Sequence, residues 1–229
     1  MIHWIKRIFR KARKGISLNI SFRDIKLTSK SECISKEEYK GLMSYAKNYN
    51  IKLSQFKKFS GDVAIIQEML DDIHLISLDF PKIVDNKKGV HICLESSHRD
   101  IFATTYVHVI EINKDLYNDT EYLMSEYNLA VAQNKFVLDT DYRSIIMHEI
   151  GHVVANLYKI DALSIAKEIL GMTSTIEVLN YVKENLSLYS AEYPDGREII
   201  SECFSAYYNT GKNDFANKFV EKCKELVKE

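Results

Sequence analysis

The chain has 229 residues, 46% hydrophobic and 28% charged, a balance that suits a globular protein and excludes fibrous or disordered character. Lys plus Arg number 31 against 32 Asp plus Glu, and the resulting charge of -1 excludes a polycationic nucleic-acid binder. Cys33, Cys93, Cys203 and Cys223 form no C-x-x-C pair, which argues against a zinc ribbon or thioredoxin-like site and fits a reduced intracellular setting.

Residues 1–14, MIHWIKRIFRKARK, hold six bases and no acid; in the rest of the chain 25 bases face 32 acids, a charge of -7. Ile2, Ile5, Ile8, Phe9 and Ala12 recur at helical spacing, so this segment is expected to be a basic amphipathic helix ending at Gly15. It could dock weakly on a membrane surface, on a partner protein or on the protein's own acidic face. Lys6 and Arg7 interrupt the apolar run an export signal needs, and no stretch approaches the length of a membrane span, so a cytoplasmic chain is expected.

Residues 15–90 read as a mainly helical N-terminal portion. A helix over 36–49 opens at Ser35, with Glu38 three residues on completing a capping-box pattern. A longer one over 62–79 stops before Pro81. The period then changes: HICLE at 91–95 and TTYVHVIEI at 104–112 are β-branched and partly alternating, as strands are. After residue 118 helical patterns run over about 120–133, 141–158, 161–170, 174–186, 195–209 and 213–227. Strands followed by a run of helices predict an α+β fold, with residues 91–229 forming one domain: a small sheet, then a helical half.

The chemistry sits in IIMHEIGHVVANLY. His148 and His152, at i and i+4, project from one helix face at the spacing two ligands of one zinc ion need. Glu149 lies one residue round the helix, where it can take a proton from a metal-bound water. It is the only charged residue between Arg143 and Lys159, so burying it requires a partner. Gly151 costs about 1 kcal/mol against Ala in a helix interior, which close approach of another backbone would explain. No histidine follows His152, and Ala155 and Tyr158 stand where the extended metzincin pattern needs Gly and His, so a His₂Glu site is expected. The third ligand is sought on REIISECFSAYY. Glu198 and Glu202 share one face there, and one can bind metal while the other holds a ligating imidazole. His3, His74, His91, His98 and His108 show no ligand spacing to one another.

HEIGH, then NLSLYS, then EIISECFSAYY resembles the catalytic domain of the lethal-factor-like zinc metallopeptidases, gluzincins that include anthrax lethal factor and the clostridial Pro-Pro endopeptidases. The resemblance spans roughly residues 100–225 and implies a zincin-like fold, a Zn²⁺ cofactor and a peptide or protein substrate. It implies His148, His152 and Glu198 as ligands, Glu149 as base, Glu202 behind the ligands, and Tyr189 as the phenol that stabilises the oxyanion. The connection from Tyr189 to Glu198 is longer than the family's, which leaves Tyr193 as an alternative phenol. Family members are secreted, so the lack of an export signal argues against a toxin or exoprotease role. A strand ahead of the metal helix commonly pairs with substrate in such enzymes, and TTYVHVIEI is the candidate, either as an edge or as an interior strand. The competing expectation is a catalytically inactive zincin-fold binding module, for example in a phage or prophage assembly.

Overall fold

A computed structural model describes residues 33–85, 89–95 and 101–228; the basic segment 1–14 lies outside the described residues. Helix α1 (Lys36–Asn48) starts where the capping box places it. Ser35 Oγ accepts from the Glu38 N–H at 3.1 Å, and Glu38 accepts from the Ser35 N–H at 2.8 Å. Strand β1 (Lys52–Ser54) follows. Helix α2 (Val63–Asp79), capped by Asp62, buries Ile65, Ile66, Met69, Leu70, Ile73 and Ile76 along one face. Pro81 opens a 3-10 turn (Pro81–Val84) rather than continuing the helix.

Strands β2 (His91–Glu95), β3 (Ala103–Tyr106) and β4 (Val109–Asn113) complete a four-stranded sheet of order β1-β2-β4-β3. β2 runs parallel to β1 and to β4, whereas β3 is antiparallel to β4. The expectation of a single strand over 104–112 is corrected: TTYVHVIEI folds back on itself as a hairpin, with Tyr106 opposite Val109. The turn escapes a sequence reading because its two residues are Val107 and His108, without the Gly or Asn that marks such turns. Val107 takes φ 58°, a left-handed conformation that β-branched residues rarely adopt. The hairpin divides the two options for this segment. β4 is interior and β3 is the edge, and among the described residues no strand pairs with β3's outer side.

The helical half follows: the short α3 (Lys114–Tyr117), α4 (Thr120–Ala132), α5 (Ser144–Tyr158), α6 (Ala162–Leu170), α7 (Thr175–Asn185), α8 (Arg197–Asn209) and α9 (Asp214–Leu226). With its small sheet and mostly helical C-terminal half, the molecule is α+β. One hydrophobic cluster runs from Leu42, Phe59 and Ile66 through Ile92 and Ile110 to Ile150, Phe204 and Phe219. Residues 36–85 thus supply a sheet strand and core helices as well as the helical N-terminal portion read from the sequence. The buried Asp72 of α2 receives the Arg143 guanidinium in a bidentate pair, with Nε donating to Oδ2 at 3.0 Å. That pair fixes the start of α5 against α2. No helix among the described residues is long and apolar enough to cross a membrane.

Candidate metal centre

Helix α5 buries Ile145, Ile146, Ile150, Val153 and Val154, so its remaining face is aimed into a cleft rather than at bulk water. That face carries His148, Glu149 and His152. Helix α8 lies antiparallel against it: Ser144 is matched to Ser205, His148 to Glu202, and His152 to Glu198. Gly151 permits the approach. A Cβ there would stand 2.7 Å from the Ser201 Cα, a backbone atom that no rotamer change can move. The close backbone approach expected from the sequence is therefore the neighbouring helix itself.

Glu198 Oε2 lies 3.3 Å from His148 Nε2 and 3.2 Å from His152 Nε2. The three candidate ligand atoms all fall within 4.8 Å of one another. Glu198 Oε2 is buried and makes no aligned hydrogen bond, an orphaned acceptor of the kind that is costly unless a cation meets it. Two imidazole nitrogens and one carboxylate oxygen are also the donor set of a His₂Glu zinc site, so these residues fit a divalent ion of that kind.

Behind them, Glu202 is fully buried and its Oε1 lies 2.8 Å from His148 Nδ1. An ionised carboxylate only accepts, so Nδ1 carries a proton, and in the neutral ring Nε2 keeps its lone pair for the cleft. Without a bound cation the ring is instead charged, with a proton on each nitrogen. Burial by itself would lower the His148 pKa, yet Glu198 and Glu202 outweigh it and raise the value to about 10. Burial pushes the Glu198 carboxyl up, but His152 and His148 prevail and hold it at about 2. The two carboxylates thus favour positive charge on the imidazole between them.

Glu149 is only 7% exposed, and the partner its burial demands is Thr105, whose Oγ1 donates to Glu149 Oε2 at 2.6 Å. Tyr189, on a 3-10 turn (Tyr189–Ala191), places its ring centroid 5.5 Å from that of His148. Burial, reinforced by the charges of Glu198 and Glu149, raises the Tyr189 hydroxyl pKa well above its usual range, so it remains a donor. Tyr193 lies under the Arg197 guanidinium, 4.7 Å from the ring centre, and its hydroxyl is likewise pushed up by burial and by Glu198.

His148, Glu149, His152, Glu198 and both tyrosines line one cleft of about 490 Å³, together with Thr104, Thr105 and Tyr106 of the edge strand. A second pocket of about 410 Å³ adjoins it. That pocket shares His148, Glu149 and Tyr189 and is walled by Phe102, Tyr127, Phe136, Ile145 and Leu188. Glu149, Tyr189, His148, His152, Glu198 and Glu202, singled out from the sequence, thus meet in one place, with the alternative phenol Tyr193 beside them. Sequence reasoning missed Thr105, whose only signal was membership of a strand pattern. It also missed Glu192, which lines the second pocket and whose carboxyl burial and Glu198 raise to about 7. Of the remaining histidines, His74 stacks on Tyr49, His91 hydrogen-bonds Ser54 at 2.9 Å, and His108 sits in the β3–β4 turn outside the cleft lining. Comparison with protein-family models, with curated proteins and with solved structures finds no match to this chain.

Proposed function

We propose that this chain is a zinc-dependent endopeptidase of the His₂Glu class, with a zincin-like catalytic domain of the lethal-factor-like kind. The observation that carries the reading is the convergence of His148 Nε2, His152 Nε2 and the orphaned Glu198 Oε2, with a buried Glu149 in the next helical position. His148, His152 and Glu198 would hold the ion. Bound there, zinc would supply Lewis acidity towards a peptide carbonyl and bring the pKa of a bound water to about 7.

The chain's own groups then have distinct tasks. Glu149 takes the water's proton and hands it to the departing amine, a role a carboxylate can fill in both directions. Glu202 keeps His148 in the tautomer that presents Nε2. The Tyr189 hydroxyl, still protonated at neutral pH, donates to the oxygen on which negative charge develops, and Tyr193 lines the same cleft as the alternative donor. The outer side of β3 offers main-chain groups to an extended peptide. The aromatic-walled pocket next to the centre receives an apolar side chain flanking the cleaved bond.

The test pairs metal analysis with cleavage of a broad peptide library by wild type and Glu149→Gln. The reading expects one zinc in both proteins and cleavage by wild type alone. The rate with Glu149→Gln should fall by at least about 100-fold, the size of a general-base contribution. A zinc-loaded wild type that cleaves nothing would instead favour the binding-module alternative.

A further inference from the structure

We propose that Thr105 is a positioning residue for Glu149, and that through it the edge strand β3 sets where the base stands; this rests on the endopeptidase reading. Glu149 is a carboxylate at 7% exposure, and its burial is tolerable only with a hydrogen-bond donor in place. Thr105 is that donor. Its single hydroxyl hydrogen has two acceptors in reach, Glu149 Oε2 at 2.6 Å and the Glu149 carbonyl oxygen at 3.4 Å. The shorter contact to the charged oxygen wins. Oε2 is thereby engaged, and Oε1 is the oxygen left to receive a proton.

The hydroxyl is not required by the strand. Thr105 pairs with Ile110 in the hairpin, a register position where valine would serve the sheet equally well. Neither is the strand loosely placed: Asn156 Nδ2 donates to the Val107 carbonyl at 3.3 Å, so α5 grips β3 at residue 105 and again at its turn. At the second of those points the chain takes the left-handed Val107 conformation, which persists only when its surroundings hold it. A peptide pairing with β3 would therefore load the same strand that carries the donor to the base.

The test compares Thr105→Val, which keeps shape and removes the donor, with Thr105→Ser, which keeps the donor. Two readouts are taken on zinc-loaded protein: kcat and KM on a cleaved peptide, and calorimetric affinity for acetohydroxamic acid, whose hydroxyl proton needs an acceptor beside the metal. Thr105→Val is expected to lower kcat and to weaken acetohydroxamic acid by about 10- to 100-fold, the size of one charge-assisted hydrogen bond. KM and zinc affinity should stay at wild-type values, Tm should fall because the buried carboxylate loses its donor, and Thr105→Ser should recover most of these losses. A Thr105→Val protein with wild-type kcat and wild-type hydroxamate affinity overturns the proposal, as does a loss that Thr105→Ser fails to recover. A wild type that binds zinc and acetohydroxamic acid but cleaves no peptide overturns the endopeptidase reading instead, and the hydroxamate arm alone then decides the role of Thr105.

Discussion

The two walls of the cleft are held by different means. The helical wall, α5 against α8, is buried and packed so tightly at Gly151 and Ser201 that a methyl group cannot enter. The sheet wall, β3 and its turn, is a half-exposed edge with Tyr106 and Val107 open to solvent. It is tied to α5 by the hydrogen bonds of Thr105 and Asn156. On the proposed reading, the groups that would hold an ion sit on the tightly packed wall, whereas those that would meet a peptide sit on the exposed edge. This division suits preorganised chemistry beside a binding edge.

Adding one methyl group to the rigid wall should have the largest structural effect. Gly151→Ala is expected to lower stability by about 1–3 kcal/mol, as overpacking does, and to weaken zinc binding as the helices part. Denaturant unfolding and metal titration read both quantities, and wild-type values in both would show that the walls are not so different.

A smaller effect is expected one layer behind the ligands. Glu202→Gln should reduce zinc affinity about 10- to 100-fold while leaving one ion per chain, the usual size of such a loss. A competitive chelator titration measures it, and complete loss of zinc would move Glu202 into the ligand set.

Proton uptake by the rigid wall gives a pH signature. In zinc-free protein the His148 pKa is raised to about 10 from 6.5. The stability it contributes is fully present below about 6.5 and is lost as pH rises through 10. The Glu198 pKa is lowered to about 2 from 4.5. Its contribution is present above about 4.5 and is lost as pH falls through 2. Tm of the chelator-treated protein should therefore decline from pH 6.5 to 10. The zinc-loaded protein should show a flatter profile, because the ion takes the proton's place.

The smallest change is expected on the sheet wall. Val107→Gly relieves a left-handed β-branched residue but adds chain entropy to the unfolded state, so the net effect should stay within about 1 kcal/mol and on the stabilising side. A destabilisation as large as that of Gly151→Ala would erase the contrast between the walls.

The same contrast governs what could be read from sequence. The helical wall was legible because its apolar residues repeat at the helical period and its functional residues sit at i and i+4 on two separate helices. Gly151 was legible as an anomaly that needed a neighbour. Which glutamate faces the histidines' Nε2 atoms and which faces Nδ1 depends on the antiparallel register of α5 and α8, a long-range fact that local spacing does not carry. On the sheet wall, a turn made of Val107 and His108 looks like strand, and β1 is too short to show alternation. Thr105 meets Glu149 only once the hairpin is folded and laid on α5, and so no sequence signal marked it.

The central claim is that His148, His152 and Glu198 form one metal site, and zinc stoichiometry of purified wild type and Glu198→Ala tests it most directly. With both proteins shown to be folded by circular dichroism, the account predicts one zinc per chain in wild type and none in Glu198→Ala. A Glu198→Ala protein that retains one zinc, or a folded wild type that takes up none, would contradict it.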